Sequence, residues 1–228
     1  MEDLSAYYNS LFDESVKAFL AGDYFIDAQI NSLSDNRFGL TLIIKIDDSI
    51  KIKIQSFIDD LKNIDPHQYY YSQSDLHVTV MSIISCYDGF SLENISVTDY
   101  IKVIEKSMTD INAIEIDFHG VTASSSAILI QGFLAEDALN NLRNNLRMNF
   151  KSSGLEQSID KRYSIFAAHI TVARFRQKIK DPPKLIHMIE ENRRRDFGKM
   201  KVEQLDLVYN DWYHREDFVK QLYSLSLK

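Results

Sequence analysis

Cysteine, proline and long apolar runs are all scarce in this chain of 228 residues. The one cysteine, Cys86, excludes an internal disulfide framework and favours a reducing compartment. Three prolines and seven glycines argue against long linkers and disordered segments. No apolar run approaches the roughly 20 residues of a membrane span, and residues 1–10 carry two acids and no base, unlike a signal peptide. We therefore expect a cytoplasmic protein without a membrane partner.

A positive net charge is also absent, because the formal charge at pH 7 is −7. A protein that grips a long nucleic acid needs a basic surface, so a long nucleic-acid footprint is not expected. The charge is nevertheless uneven: residues 141–180 hold nine bases and two acids, whereas residues 1–38 hold two bases and seven acids. The basic segment either attracts a small anion or an RNA end, or forms a solvated helix face.

Two short histidine motifs stand out, His77-Val78-Thr79-Val80 and His169-Ile170-Thr171-Val172. Chance placement of the six histidines and six threonines predicts only about 0.2 His-x-Thr triplets in the chain. The flanking residues are apolar and β-branched, which favours strands. Because side chains alternate along a strand, each histidine faces the same way as its threonine. The residues between and after them face the opposite way, toward a core.

The order of predicted elements repeats along the chain. A strand at 40–46, a helix, the first motif strand at 76–84 and a helix form one set. A strand at 127–133, a helix, the second motif strand at 166–175 and a helix form the other. The remaining predictions are helices beginning near 48 and at 98–109, 136–151 and 182–195, and strands at 113–122, 201–209 and 219–227.

This repetition predicts a duplicated α+β domain. We treat residues 1–228 as one bilobal domain, with a first half at about 38–110 and a second at about 111–228. An amphipathic helix at 4–21 is an addition before the repeat. If the halves face each other across a pseudo-twofold axis, two imidazoles and two hydroxyls meet in one cleft.

The chemistry of such a cleft suits a phosphoester. Imidazole has an ordinary pKa near 6.5, so one histidine can accept a proton while the other donates one. A threonine hydroxyl can donate to a phosphate oxygen as negative charge develops. No metal is required, and the close ligand spacings of a zinc site do not occur. The alternative is two half-buried structural histidines whose threonines bond to neighbouring backbone.

The paired motifs resemble those of the 2H phosphoesterase superfamily, in particular its 2′-5′ RNA ligase-like and 2′,3′-cyclic phosphodiesterase branch. The matching stretches are Asp75–Val80 and Ala168–Arg174. The segment Gly120–Phe133 and the helix around 142–147 are also similar, and the resemblance covers roughly residues 38–228.

The resemblance implies two similar lobes with antiparallel sheets, a central cleft that carries both motifs, and no metal or cofactor. His77 and His169 correspond to the acid–base pair, and Thr79 and Thr171 to the phosphate contacts. Arg174 corresponds to a basic substrate contact. Strict alternation along a strand places the side chain of Arg174 on the opposite face from His169. This assignment therefore requires a strand end or a β-bulge between them.

The implied activity is hydrolysis of RNA-type 2′,3′-cyclic phosphates or 2′-5′ linkages by a monomer that takes a nucleotide or an RNA end. Two alternatives stay open: RNA 2′-5′ ligation by the same residues, and a non-catalytic module that binds RNA ends or nucleotides. The division of base and acid between His77 and His169 is also open.

Other aromatic residues and histidines have a structural interpretation as well as a functional one. Tyr69, Tyr70 and Tyr71 before the first motif, and Trp212 and Tyr213 near the end, either stack on a nucleobase or pack at the rim and in the core. The histidines without a threonine two residues later are predicted to be structural or exposed; they are His67, His119, His187 and His214.

Overall fold

The computed structural model describes residues 3–32, 34–111, 113–161 and 164–227, and within them the chain forms five α-helices, nine strands and one short 3-10 helix. The helices are α1 (Leu4–Ala21), α2 (Asp48–Ile64), α3 (Val97–Ser107), α4 (Ala138–Ser153) and α5 (Pro182–Glu191), and the 3-10 helix is Leu92–Asn94. The strands are β1 (Arg37–Lys45), β2 (Tyr69–Tyr70), β3 (His77–Asp88), β4 (Ile114–Ser124), β5 (Ala127–Leu134), β6 (Ile170–Arg174), β7 (Asp196–Val202), β8 (Gln204–Asp211) and β9 (Lys220–Ser226). No helix of the described residues has both the length and the apolar character to cross a membrane.

The strands form one antiparallel sheet in the order β7-β4-β5-β6-β3-β1-β8-β9, with β2 paired to β6 beside this path. We call β3, β1, β8 and β9 the first wing, and β7, β4, β5 and β6 the second wing. Within the described residues, one ladder position, Val78 opposite Ile170, joins β3 to β6 and so joins the wings. The predicted α+β class with two antiparallel lobes is confirmed, and the lobes share one continuous sheet.

The end of the chain crosses between the wings. The strand predicted at 201–209 is wrong as a single strand: β7 pairs with β4 in the second wing, and β8 pairs with β1 in the first. The break falls at Glu203. Apolar residues continue on both sides of it without a glycine, proline or asparagine, so only the pairing partners reveal the break.

The helices present apolar stripes at helical spacing, as their sequences predict. In α2 the buried positions include Ile50, Ile54, Phe57 and Leu61. α2 lies against β7, and α4 lies against β3 and α3. Their buried side chains join the strand residues in a single apolar core.

The N-terminal helix α1 is present and is part of the second wing. It begins after Asp3, whose carboxylate accepts from the first-turn amides, and it ends at Gly22 in the left-handed conformation (φ +71°). The Tyr8 hydroxyl, which is buried, donates to the Gly132 carbonyl at 3.2 Å. The Thr122 hydroxyl donates to the Tyr8 carbonyl at 2.9 Å. These bonds fix α1 to β4 and β5.

Candidate active site

The two His-x-Thr motifs lie side by side where the wings meet. Val78 stands opposite Ile170, and both side chains are fully buried. In an antiparallel pair, one step either way from this position directs the histidine of each motif toward the threonine of the other, and all four side chains line the same cavity. The structure therefore brings His77–Thr79 and His169–Thr171 together, as the sequence predicts.

The second motif begins earlier than its strand. β6 starts at Ile170, so His169 lies one residue before it, and the prediction of a strand from 166 is wrong. Gly132 of β5 lies against this stretch, because a Cβ built there would stand 1.8 Å from the Ala168 carbonyl oxygen. The lead-in to His169 thus follows the backbone of β5 closely without extending the ladder.

A buried arginine joins the backbone of the first motif to the segment just before the second motif. Arg143 of α4 has no solvent exposure, and all five of its N–H donors are used. They are accepted at 2.8–3.2 Å by the carbonyls of Thr79, Val80, Phe166 and Ala167 and by Oδ1 of Asn140. Burial lowers the pKa of Arg143 to about 9, so it remains charged at pH 7. Its charge is internal, and Arg143 is not part of a basic surface.

A cavity of about 400 Å³ opens over the motifs. All five predicted site residues line it, and many of the other lining side chains are serines or threonines; these are Thr41, Ser82, Ser85, Ser124, Ser126 and Ser158. Tyr7 and Leu11 of α1 form part of its wall. Among the described residues, no group of three or more His, Cys, Asp or Glu side chains is placed to hold a metal ion.

Arg174 reaches the cavity because β6 is irregular. The register between β5 and β6 shifts by one residue after Thr171, as in a β-bulge. The shift breaks the alternation that would place the side chain of Arg174 on the opposite face from His169. Its Nε donates to the Tyr71 hydroxyl at 2.8 Å. The irregularity that the sequence prediction required is therefore present.

His77 has a defined tautomer in its neutral form. Its Nδ1 lies 2.7 Å from the carbonyl oxygen of Asp75. A carbonyl can only accept, so Nδ1 carries the proton and Nε2 keeps a free lone pair. Burial lowers the pKa of His77 below its ordinary value; the Arg174 guanidinium acts in the same direction, and the bond to Asp75 opposes them.

His169 is also neutral at pH 7. Burial lowers its pKa to about 4, with Arg143, His77 and Arg174 acting in the same direction. Its Nδ1 is buried, and no described residue hydrogen-bonds to it. A guanidinium beside two neutral imidazoles favours an anion. A bound negative charge would raise both histidine pKa values, because it stabilises the protonated rings.

His214 is the site residue that sequence reasoning missed. The sequence predicts a structural or exposed residue at this position; in the structure His214 lines the cavity, and its ring centroid lies 4.1 Å from that of His77. No threonine follows it at the motif spacing, and its position depends on the pairing of β8 with β1. His67 and His187 are exposed, as predicted.

The tyrosines before the first motif divide between packing and the cavity. Tyr71 is buried and lines the cavity, whereas Tyr69 packs edge-on against it and Tyr70 bonds to backbone carbonyls. Trp212 also lines the cavity, and Tyr213 is buried. Packing is thus the observed role of Tyr69, Tyr70 and Tyr213.

No protein-family model matches the chain, and no curated protein matches it in sequence. Solved structures do match. TT0787 of Thermus thermophilus is 14% identical with a TM-score of 0.61, over 83% of this chain and 97% of its own. E. coli LigT complexed with 3′-AMP is 15% identical with a TM-score of 0.59, over 84% of this chain and 99% of its own. ATU0111 of Agrobacterium tumefaciens str. C58 is 12% identical with a TM-score of 0.61, over 93% of this chain and 98% of its own. The chain therefore shares its fold with these three proteins and with a solved phosphoesterase, which is 14% identical with a TM-score of 0.56 over 84% of this chain and 99% of its own.

Proposed function

We propose that this protein is a metal-independent phosphodiesterase that acts on RNA-type 2′,3′-cyclic phosphates or 2′-5′ linkages. The observation that carries the proposal is the placement of both His-x-Thr pairs on one face at the floor of a single cavity. E. coli LigT, which has this fold, has been solved with 3′-AMP, ATP, NADP+ and phosphate. Those complexes support a nucleotide or an RNA end as the ligand. A cytoplasmic location is part of the proposal, since the chain has one cysteine and therefore no internal disulfide.

The tautomer of His77 suggests how the histidines divide the work. Nε2 of His77 accepts a proton from water as the water oxygen bonds to phosphorus. His169, protonated once the phosphate anion has raised its pKa, gives a proton to the departing ribose oxygen as the P–O bond breaks. A cyclic phosphate is thereby converted to a monoester and a ribose hydroxyl.

The remaining predicted residues stabilise the charge that develops on phosphorus oxygens. No described residue hydrogen-bonds to the hydroxyl of Thr79 or Thr171, and each can donate to a non-bridging oxygen. Arg174 supplies the positive charge at the cavity wall. Its bond to Tyr71 sets the direction of the guanidinium.

The test is an assay of the purified protein with nucleoside 2′,3′-cyclic phosphates in EDTA. We expect turnover in the wild type and a loss of at least about 100-fold in His77→Ala and in His169→Ala. His187→Ala, at an exposed position, is the matched control and should keep full activity. Normal activity in the two motif variants, or activity abolished by EDTA, contradicts the proposal.

The same preparation separates the alternatives. Joining of tRNA halves through a 2′-5′ bond would favour a ligase. Tight binding of cyclic or 2′-phosphate ends without turnover would favour a binding module.

A further inference from the structure

His214 lies on the connection between β8 and β9 in a backbone conformation that side chains rarely adopt. Its φ is +56°, in the left-handed region. Histidine visits this region more often than most residues, yet a side chain there is still sterically strained. Surrounding contacts must therefore hold it, and such positions concentrate at functional sites.

Two of those contacts orient the ring and its turn. The amide Nδ2 of buried Asn210 lies 3.0 Å from Nε2 of His214 and also donates to the Asp211 carbonyl at 2.8 Å. Because that amide group is the donor, Nε2 of His214 accepts and the proton of the neutral ring is on Nδ1. The amide of Glu216, two residues on, donates to the Asp75 carboxylate at 2.9 Å.

Asp75 therefore holds both histidines. Its carboxylate fixes the turn that carries His214, and its carbonyl oxygen fixes Nδ1 of His77. The rings meet with centroids 4.1 Å apart and planes inclined by 32°. His214 covers one side of the His77 ring at the cavity.

We propose that His214 is a positioning residue for His77, which keeps the His77 imidazole in one orientation and shields it from water. The kinetic part of this inference rests on the proposed function. The charged and titratable groups around His77 are Asp75, Arg174, His169 and His214. Burial is the main cause of the lowered pKa of His77, so removing the covering ring should move that pKa back toward 6.5.

His214→Asn is the decisive variant, since asparagine tolerates the left-handed backbone but lacks a ring. His214→Phe is its counterpart, since it keeps a flat ring but cannot bond to Asn210. We expect the His77 imidazole, followed by NMR titration of the full chain, to have a higher pKa in His214→Asn and a nearly unchanged pKa in His214→Phe.

The pH profile provides a second readout. A general base must be unprotonated, so a higher pKa moves the acidic limb of kcat/KM to higher pH. In His214→Asn we expect that limb to follow the NMR shift, with kcat at pH 7 lower by about 10-fold and KM changed by less than about 2-fold. A purely structural role would lower the active fraction without moving the limb. Exposed His187→Asn is the control.

An unchanged His77 titration in His214→Asn overturns the inference. If that variant does not fold, long-range ¹⁵N spectra of the wild type decide, because both rings must carry the proton on Nδ1; a proton on Nε2 of either ring overturns the arrangement. If the wild type cleaves no cyclic phosphate, the proposed function fails, yet the titration still decides whether His214 positions His77.

Discussion

At the residue scale, each motif threonine lies beside the histidine of the other motif. Since Val78 is opposite Ile170 in an antiparallel ladder, Thr79 neighbours His169, and Thr171 neighbours His77. Each motif histidine therefore shares its side of the cavity with a hydroxyl from the other half of the chain.

Replacing either threonine with valine should test its proposed role in binding the phosphate oxygens. Thr79→Val and Thr171→Val keep the side-chain shape and remove one donor, so we expect each to lower kcat by about 100-fold. Steady-state kinetics on a 2′,3′-cyclic nucleotide provides the measurement. Thr98→Val, at an exposed position of α3, should match the wild type. If kcat falls by less than 3-fold in both motif variants, the threonines do not bind the phosphate oxygens as proposed.

The sequence predicts site residues only where a local pattern marks them. His77 and His169 are marked by the threonine two positions later and by the alternation of a strand. His214 has no such pattern, because its place depends on pairing between residues about 170 positions apart. Arg174 is intermediate: the resemblance identifies it, and only the observed irregularity in β6 explains how it reaches the cavity.

At the element scale, α4 stabilises the join between two strands that share only one ladder position within the described chain. Arg143 bonds to carbonyls on both sides of that join. A sequence pattern could not identify this role, since Arg143 and Arg147 lie one turn apart and have the same composition around them. Arg147 instead pairs with Asp160 near the surface.

Arg143→Leu should therefore destabilise the fold far more than Arg147→Leu. The first change removes the donor from four carbonyls, two of them in buried bonds and two in part-buried bonds, which costs about 3 kcal/mol or more. The second removes a partly exposed ion pair, which is worth at most about 1 kcal/mol. Urea unfolding of both variants checks the difference, and equal midpoints would show that Arg143 does not brace the motifs.

Most element positions follow from apolar spacing, and the exceptions share a physical cause. The helices α1 to α5 and the strands β1, β3, β4, β5 and β9 were predicted close to their observed positions. The break between β7 and β8 and the late start of β6 are set by which strand each segment pairs with. The local sequence does not show which strand each segment pairs with.

At the scale of the whole molecule, the half-buried histidines of the cavity link stability to pH. Unfolded histidine titrates near 6.5, whereas the pKa of His169 in the folded protein is about 4. Between these values the unfolded chain binds more protons, so the free energy of unfolding falls as the pH drops from 6.5 toward 4. His77 and His214, with pKa values lowered by burial, act in the same direction.

His169→Gln should reduce this sensitivity to acid, because glutamine does not titrate. We expect the loss of unfolding free energy between pH 7 and pH 5 to be smaller in the variant than in the wild type, as measured by urea unfolding at both pH values. Carboxylates contribute equally in the two proteins and cancel in the comparison. An identical loss would mean that His169 is not shielded in the folded state.

The crossing of the chain end into the first wing has a consequence for how the molecule can be divided. β1 pairs with β8 along most of its length, and six consecutive residues of β1 are buried. A fragment that ended near residue 110 would leave this strand as an unprotected apolar edge, which invites aggregation. The same geometry permits exchange: the hairpin of β8 and β9 from one copy could close the first wing of another and yield an intertwined dimer. The two halves of the sequence are thus not separable units, because the first wing is completed by β8 and β9, which are encoded in the second half.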